Sequence, residues 1–145
     1  MTVIRPAGPD DFDAVTALLE ELGRPAVNDR ETCRQVYTRD LEDPDTAHLL
    51  AVDADGRIVG FCSLHFRSRL NQVSREAWVP DLIVAEAARS KKVGHALLSE
   101  AEERARERGC HQLRLESAHW RTDAHRFYRD FGLTDDALAF GERLV

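Results

Sequence analysis

One stretch near the middle of the chain constrains the fold most, because an apolar run leads there through a basic turn into a long amphipathic helix. The apolar run, residues 78–84, has the length of a buried strand. Apolar side chains at helical spacing predict a helix over residues 93–108, and Gly109 follows as its stop. The first N–H groups of such a helix lack intrahelical partners and carry partial positive charge. The pattern therefore predicts a strand–turn–helix unit with an anion site at the turn.

The charge distribution supports an anion site at this turn. The 145-residue chain has a formal net charge of -6, yet its only two lysines, Lys91 and Lys92, lie side by side in the turn, close to Arg89. Cationic side chains beside a helix N-terminus favour a bound phosphate or pyrophosphate. The alternative is a solvated turn that is basic without a functional reason.

The rest of the composition excludes several classes of protein. An acidic chain lacks the basic face that binds a nucleic-acid backbone, so no nucleic-acid partner is expected. No apolar run approaches membrane-spanning length, and the first residues lack the apolar core of a signal peptide. Cys33, Cys62 and Cys110 are far apart in sequence, so neither a disulfide framework nor a metal site is expected. We expect a cytoplasmic protein without a membrane association, folded as one domain over residues 1–145.

The spacing of apolar residues predicts the other elements. A short first strand, two helices before residue 44 and a hairpin over residues 48–66, with Asp-Gly in its turn, precede the central unit. After the central helix we expect a strand over residues 112–117, a helix over 122–131 and a terminal strand over 137–144.

Pro80 lies inside the expected central strand. Because proline has no N–H to donate to a sheet, it indicates a bulge or a place where strands part. The element order, an antiparallel meander followed by a β-α-β unit, predicts a mixed α/β fold. We expect a twisted mixed sheet of about six to seven strands with helices on both faces.

The basic turn resembles a motif of the GCN5-related N-acetyltransferases, in which a turn of the form Arg/Gln-x-x-Gly-x-Gly/Ala wraps the pyrophosphate of coenzyme A. Arg89 and Gly94 match this motif, and Lys92 stands where the family usually has its first glycine. The resemblance implies the acetyltransferase fold for this chain.

A second motif of that family lies in the last predicted helix. Ala124, Phe127, Tyr128 and Gly132 match it with the same spacing, while Arg121 replaces the usual asparagine. Phe127 is also part of the apolar face of an amphipathic helix, whereas a tyrosine hydroxyl such as that of Tyr128 needs a polar partner. Across nearly the whole chain, the narrower resemblance is to the aminoalkylphosphonate N-acetyltransferases and their relatives.

The resemblance implies that acetyl-CoA is the co-substrate. It assigns coenzyme binding to the strand after Pro80, to the basic turn and to part of the second motif: Leu82, Ile83, Val84, Arg89, Ser90, Lys91, Lys92, Val93, Gly94, His95, Arg121 and Phe127.

The resemblance also implies catalytic groups. Tyr128 would lie beside the coenzyme sulfur and protonate the leaving thiolate, and an amine must lose a proton to a base before or during attack. Asp81 is our preferred base and Glu76 is the other carboxylate on the central strand; His65 and His119 are weaker alternatives. Asp81 could instead satisfy only the backbone amides of a bulge.

The acceptor would enter from the other side of the sheet. His65, Arg67 and Arg69 are the residues that we expect to contact it, the arginines through an anionic group of the substrate.

The expected function is direct transfer of an acetyl group from acetyl-CoA to a primary amine of a small molecule, such as an aminoalkylphosphonate or another anionic amine. Two alternatives stay open: acetylation of a lysine or N-terminus of a protein or peptide, and coenzyme A binding without turnover. An exposed terminal strand favours a homodimer.

Overall fold

A mixed β-sheet forms the framework of this protein. The computed structural model describes residues 1–23, 29–89 and 92–145, which divide into two compact units, 1–114 and 115–145. Among the described residues of the first unit, Pro9–Asp11 and Glu86–Ala88 form 3-10 turns. Its strands and helices, in chain order, are β1 (Val3–Pro6), α1 (Phe12–Glu21), α2 (Arg30–Glu42), β2 (Thr46–Val52), β3 (Ile58–Arg67), β4 (Glu76–Trp78), β5 (Leu82–Val84), α3 (Val93–Glu107) and β6 (Gln112–Arg114).

The strand order confirms the predicted mixed sheet. The order is β1-β2-β3-β4-β6, and β5 pairs with β3 alongside β4. All pairs are antiparallel except β4 with β6, which is parallel and is connected through α3. The six strands agree with the predicted number. No helix within residues 1–23, 29–89 and 92–145 is both long and apolar enough to cross a bilayer.

The central strand is interrupted at Pro80, as its sequence predicts. Trp78 of β4 is opposite His65, whereas Leu82 of β5 is opposite Cys62. The chain therefore advances four residues from Trp78 to Leu82 while β3 advances three, from Cys62 to His65. One extra residue is therefore accommodated as a bulge between β4 and β5. Within the described residues, β4 has β3 and β6 as neighbours, whereas β5 pairs with β3 alone.

The two faces of the sheet are covered by different helices. On one face, Leu50, Phe61 and Ile83 pack with apolar residues of α1 and with Tyr37 of α2 in one buried cluster. On the other face, α3 buries an apolar stripe that includes Val93 and Leu97. These stripes follow the 3.6-residue period because only one side of each helix meets the sheet.

Gly60 allows α3 to approach β3 closely. A Cβ atom at this position would lie 2.8 Å from Leu97 Cδ1, 2.9 Å from Val93 Cγ1 and 3.2 Å from Ala51 Cβ. Both contacts below 3.0 Å are closer than carbon atoms tolerate, and all three neighbouring residues are buried. The missing side chain therefore sets the distance between helix and sheet.

We expect Gly60→Ala to lower the free energy of unfolding by about 1 to 3 kcal/mol, because the added methyl overpacks a filled core. Gly8→Ala is the matched control, since a Cβ there would meet only Asp11 Oδ2 at 3.7 Å. Urea unfolding at 25 °C measures both variants. Equal stability of the two would show that α3 shifts at no cost.

The second unit, residues 115–145, contains α4 (Thr122–Phe131), which Gly132 ends with a φ of 121°. The predicted terminal strand over residues 137–144 is wrong, because those residues carry no strand. The expected strand over residues 112–117 is also shorter and ends at Arg114. Alternation of apolar residues describes a strand's faces but does not supply the neighbouring strand to which its backbone must bond.

Candidate active site

The predicted anion site is the N-terminus of α3. Lys92 is the N-cap of this helix, and its side chain does not cap the first turn. The first helical bond in this region runs from the Ala96 N–H to the Lys92 carbonyl at 3.1 Å. The N–H groups of Val93, Gly94 and His95 therefore precede the helical hydrogen-bond ladder, which is the arrangement that binds phosphate groups.

Lys92 adopts a left-handed backbone conformation, which glycine, the usual residue at this position of the motif, adopts without a steric cost. Its φ is 60° and its ψ is 21°, and it is the one residue other than glycine with a positive φ among the described residues. A side chain in this conformation costs about 1 to 2 kcal/mol. The turn therefore holds a cationic side chain in a backbone conformation that favours glycine.

The other residues of the predicted coenzyme site flank this helix end. Arg89 follows the 3-10 turn and its Nε donates to the Val84 carbonyl at 3.2 Å, so the arginine is attached to the end of β5. His95 Nδ1 lies 3.4 Å from Ser99 Oγ, one turn further along α3. Ser90 and Lys91 lie outside the described residues.

The bulge before β5 is held by Ser63 of β3. The Asp81 N–H donates to Ser63 Oγ at 3.1 Å, and the Ser63 N–H donates to the Asp81 carbonyl at 2.9 Å. Ser63 is 3% exposed, so this pair of bonds is protected from water. The predicted base Asp81 is thus placed at the interruption of the central strand, next to the start of β5.

Glu76, the other predicted carboxylate, is enclosed by partners. Arg67 Nε donates to Glu76 Oε1 at 2.8 Å and Gln112 Nε2 donates to Oε2 at 2.9 Å. Burial alone would raise the pKa of Glu76, but the hydrogen bond and charge of Arg67, with Gln112 and Arg69, hold it below its usual range. A carboxylate with a lowered pKa and both oxygens engaged is a weak base.

A row of aromatic and polar side chains crosses three strands on the face that carries α1 and α2. The His65 and Trp78 rings have centroids 5.7 Å apart, and the Arg67 guanidinium lies 4.6 Å from the Trp78 ring centroid. Thr46 Oγ1 lies 3.3 Å from His65 Nδ1. Arg69 is exposed, and its charge contributes to the low pKa of Glu76. The predicted acceptor residues His65, Arg67 and Arg69 are therefore brought together in one region.

The structure adds to this row a buried hydrogen-bonded histidine that the sequence did not indicate. His48 of β2 is 8% exposed, and its Nε2 lies 3.1 Å from Asp40 Oδ2 of α2. Its ring stacks on Tyr37 at a centroid distance of 5.7 Å and an interplanar angle of 2°. The available signal was a histidine that alternates with Leu50 on an otherwise apolar face, but its partner on α2 is set only by tertiary packing.

The remaining predicted residues lie in the second unit. Arg121 is the N-cap of α4, and its guanidinium lies 5.8 Å from the Trp120 ring centroid. The Phe127 and Tyr128 rings have centroids 5.5 Å apart at an angle of 60°. The order of these three residues along α4 follows the spacing of the second motif.

A sequence comparison decides the family. The model of the Acetyltransferase (GNAT) family matches residues 15–133 of this chain. The chain belongs to the GNAT family. This match covers most of both units and includes the α3 turn, the bulge and α4.

Individual relatives agree with the family assignment. The chain is 33% identical over 141 residues to an aminoalkylphosphonate N-acetyltransferase of Salmonella typhimurium strain LT2, covering 97% of this chain and 90% of that protein. In fold it is similar to glucosamine-6-phosphate N-acetyltransferase from Arabidopsis thaliana, with a TM-score of 0.83, 15% identity and coverage of 100% and 99%. It is also similar to AAC(6')-Iy bound to a bisubstrate analogue of coenzyme A, with a TM-score of 0.85, 18% identity and coverage of 99% and 97%. This GNAT protein is an N-acetyltransferase.

The strained turn yields a test with a matched pair of variants. We expect Lys92→Gly to unfold with a free energy about 1 kcal/mol higher than Lys92→Ala, because glycine adopts a positive φ without a clash and alanine does not. Both variants lose the same charge, so urea unfolding isolates the backbone contribution. Equal stability would show that the turn does not hold residue 92 in the left-handed region in solution.

Proposed function

We propose that this N-acetyltransferase moves the acetyl group of acetyl-CoA directly to the primary amine of a small molecule that carries an anionic group, such as an aminoalkylphosphonate. The observation that carries the proposal is the region of Arg67 and Arg69 beside Trp78 and His65, on the sheet face opposite α3. The similarity to an aminoalkylphosphonate N-acetyltransferase over 97% of the chain supports the same class of acceptor.

The coenzyme site that we propose uses the backbone of the first unit. In this proposal the N–H groups at the start of α3 bind the pyrophosphate, with charge from Arg89 and Lys92. Ser90 and Lys91, which the sequence assigns to the same site, lie outside the described residues. The pantetheine arm pairs with β5, residues Leu82–Val84, whose pairing within the described residues is with β3 alone. We also propose coenzyme contacts for Arg121 and Phe127, on the ground of their match to the second family motif.

In the acceptor site that we propose, arginine side chains bind the anionic group of the substrate. Arg67 Nε donates a hydrogen bond to Glu76, and the Arg67 guanidinium lies over the Trp78 ring. These two contacts hold the guanidinium in one orientation. We assign its two terminal nitrogens to the substrate's anion, because a guanidinium binds two phosphonate or carboxylate oxygens at once. Arg69 adds a second positive charge nearby.

In the proposed reaction the neutral amine attacks the thioester carbonyl. The new C–N bond forms as the C–S bond breaks, the amine proton passes to Asp81 directly or through one water, and Tyr128 gives a proton to the departing sulfur. Asp81 is favoured over Glu76 because Glu76 already accepts hydrogen bonds on both oxygens and has a lowered pKa. The protein's share of the chemistry is orientation of the two substrates and these two proton transfers.

The test of this proposal is coenzyme A release from acetyl-CoA with a panel of acceptors: 2-aminoethylphosphonate, amino acids, polyamines, aminoglycosides and a lysine peptide. We expect turnover with the phosphonate and a lower kcat/KM with uncharged amines of similar size. Arg69→Ala should raise the KM for the phosphonate by about tenfold and leave that for an uncharged amine unchanged, because one charge-assisted contact contributes about 1.5 to 3 kcal/mol at most.

Arg69 is the better probe of the two arginines because removing Arg67 would leave the buried Glu76 without its partner. Turnover of the lysine peptide alone would contradict the proposed acceptor class. Binding of acetyl-CoA with no turnover of any amine would contradict the proposed reaction.

We expect Tyr128→Phe to lower kcat by about two to four orders of magnitude, the usual contribution of a general acid, while the Kd for acetyl-CoA changes little. Stopped assays with the best acceptor of the panel give kcat, and calorimetry gives the Kd. A variant with full activity would remove the general-acid role from Tyr128. A Kd raised in proportion to the loss of kcat would assign the hydroxyl to coenzyme binding instead.

A further inference from the structure

His48 carries a buried nitrogen that the proposed reaction does not use. Its Nε2 pairs with Asp40 Oδ2 at 3.1 Å, and the Asp40 side chain is only 13% exposed. Burial lowers the pKa of His48 more than the charge of Asp40 raises it, so the ring is neutral near pH 7. In the neutral ring Asp40 selects the tautomer with hydrogen on Nε2, which leaves a lone pair on Nδ1.

His48 Nδ1 is buried and has no hydrogen-bond partner among the described residues. The ring is enclosed by Tyr37, by Phe61 at a centroid distance of 5.4 Å and by the edge of His65 at 6.5 Å. A buried acceptor without a donor lowers the stability of the folded state by about 1 to 3 kcal/mol. Such an atom in a folded protein therefore indicates a role beyond stability.

Ser63 is the polar residue directly opposite His48 across the β2–β3 ladder. Side chains of directly opposed residues project to the same face with Cβ atoms about 4.5 to 5.5 Å apart. Ser63 Oγ accepts the Asp81 N–H, and a hydroxyl that accepts one hydrogen bond still has its own hydrogen to donate. A buried acceptor on β2 thus faces a buried hydroxyl on β3 that holds the bulge.

We propose that His48 is a positioning residue, and that Asp40, His48 and Ser63 form a hydrogen-bonded chain that fixes the bulge at Asp81. Asp40 orients the ring, one bridging water donates to Nδ1 and accepts the hydrogen of the Ser63 hydroxyl, and Ser63 Oγ then presents its lone pairs to the Asp81 N–H. The catalytic consequence rests on the proposed function, because a fixed bulge places both the Asp81 carboxylate and the first residue of β5.

Two substitutions of His48 distinguish the contribution of its Nε2 contact with Asp40 from that of its Nδ1 acceptor. In His48→Gln the side-chain amide reaches the Nε2 position and keeps a donor for Asp40, but it offers no acceptor at the Nδ1 position. In His48→Asn the amide oxygen stands near the Nδ1 position, whereas the contact with Asp40 is lost. We expect the asparagine variant to resemble the native protein at Asp81 and the glutamine variant to differ.

The test is a double-mutant cycle with Ser63→Ala, read first by hydrogen exchange of the Asp81 amide. His48→Gln and Ser63→Ala should each speed this exchange by about fivefold to tenfold, the effect of losing one hydrogen bond of about 1 kcal/mol. The double variant should show no further increase, because both changes break the same chain. Additive effects on exchange would overturn the proposal, as would native exchange in His48→Gln.

The second readout is kcat with the best acceptor of the panel. The glutamine and Ser63→Ala variants should lose about tenfold to a hundredfold in kcat, as expected for a misplaced catalytic group. His48→Asn should recover most of that loss. Equal losses in the asparagine and glutamine variants would assign His48 a general packing role and would overturn the proposal.

A substitution of Asp40, at the other end of the hydrogen-bonded chain, keeps the test valid if the His48 variants unfold. Asp40→Asn retains the ring but removes the charge that selects its tautomer, so it should reproduce the His48→Gln effects in part. Glu42→Gln, an exposed change of equal charge on the same helix, should leave exchange and kcat native. Identical behaviour of Asp40→Asn and Glu42→Gln would overturn the proposed role of His48. If the native protein turns over no amine, the proposed function is overturned instead. The hydrogen-exchange cycle then still decides whether His48 positions the bulge.

Discussion

The interruption of the central strand at Pro80 is the constraint on which the rest of the proposed site depends. Proline has no N–H to continue the ladder, and one extra residue opposite β3 lets the strand resume at Leu82 with Ile83 facing the core. Because of the bulge, β4 bonds on both sides while β5 pairs with β3 alone within the described residues. The same irregularity places Asp81 at the gap, where the backbone of Ser63 and its hydroxyl hold it.

The basic turn combines a departure from the family motif with an unusual backbone conformation. Lys92 stands where the motif usually has a glycine, and it adopts a left-handed φ of 60° in spite of the steric cost. The chain then has a cationic side chain at the helix end, in an otherwise acidic protein. A strained residue at the proposed pyrophosphate site is consistent with selection for the charge over local stability.

Buried polar groups in the first unit have two different arrangements. Glu76 accepts hydrogen bonds on both carboxylate oxygens and has a lowered pKa, so it stays ionised and is a weak base. His48 is neutral, has one nitrogen bound to Asp40 and keeps the other buried without a partner. Since buried polar groups are normally satisfied, the unpartnered Nδ1 of His48 indicates a place where the structure is adapted to something beyond its own stability.

The sequence by itself determined the helices, the interruption at Pro80 and the residues of both family motifs. Each of these depends on local properties: the 3.6-residue spacing of apolar residues, the missing N–H of a proline and the charges of adjacent side chains. It also led to the prediction that His65, Arg67 and Arg69 contact the acceptor, the arginines through an anionic group of the substrate, and this assignment stays a prediction.

Only the tertiary structure decided which polar groups are partners. The pairing of Asp40 with His48 joins a helix to a strand, and that of Ser63 with Asp81 joins residues 18 positions apart in the sequence. It also showed that residues 137–144 form no strand, although they alternate as one. The physical reason is the same in each case: a hydrogen bond or a ladder needs a second group, and the position of that group depends on how distant segments pack.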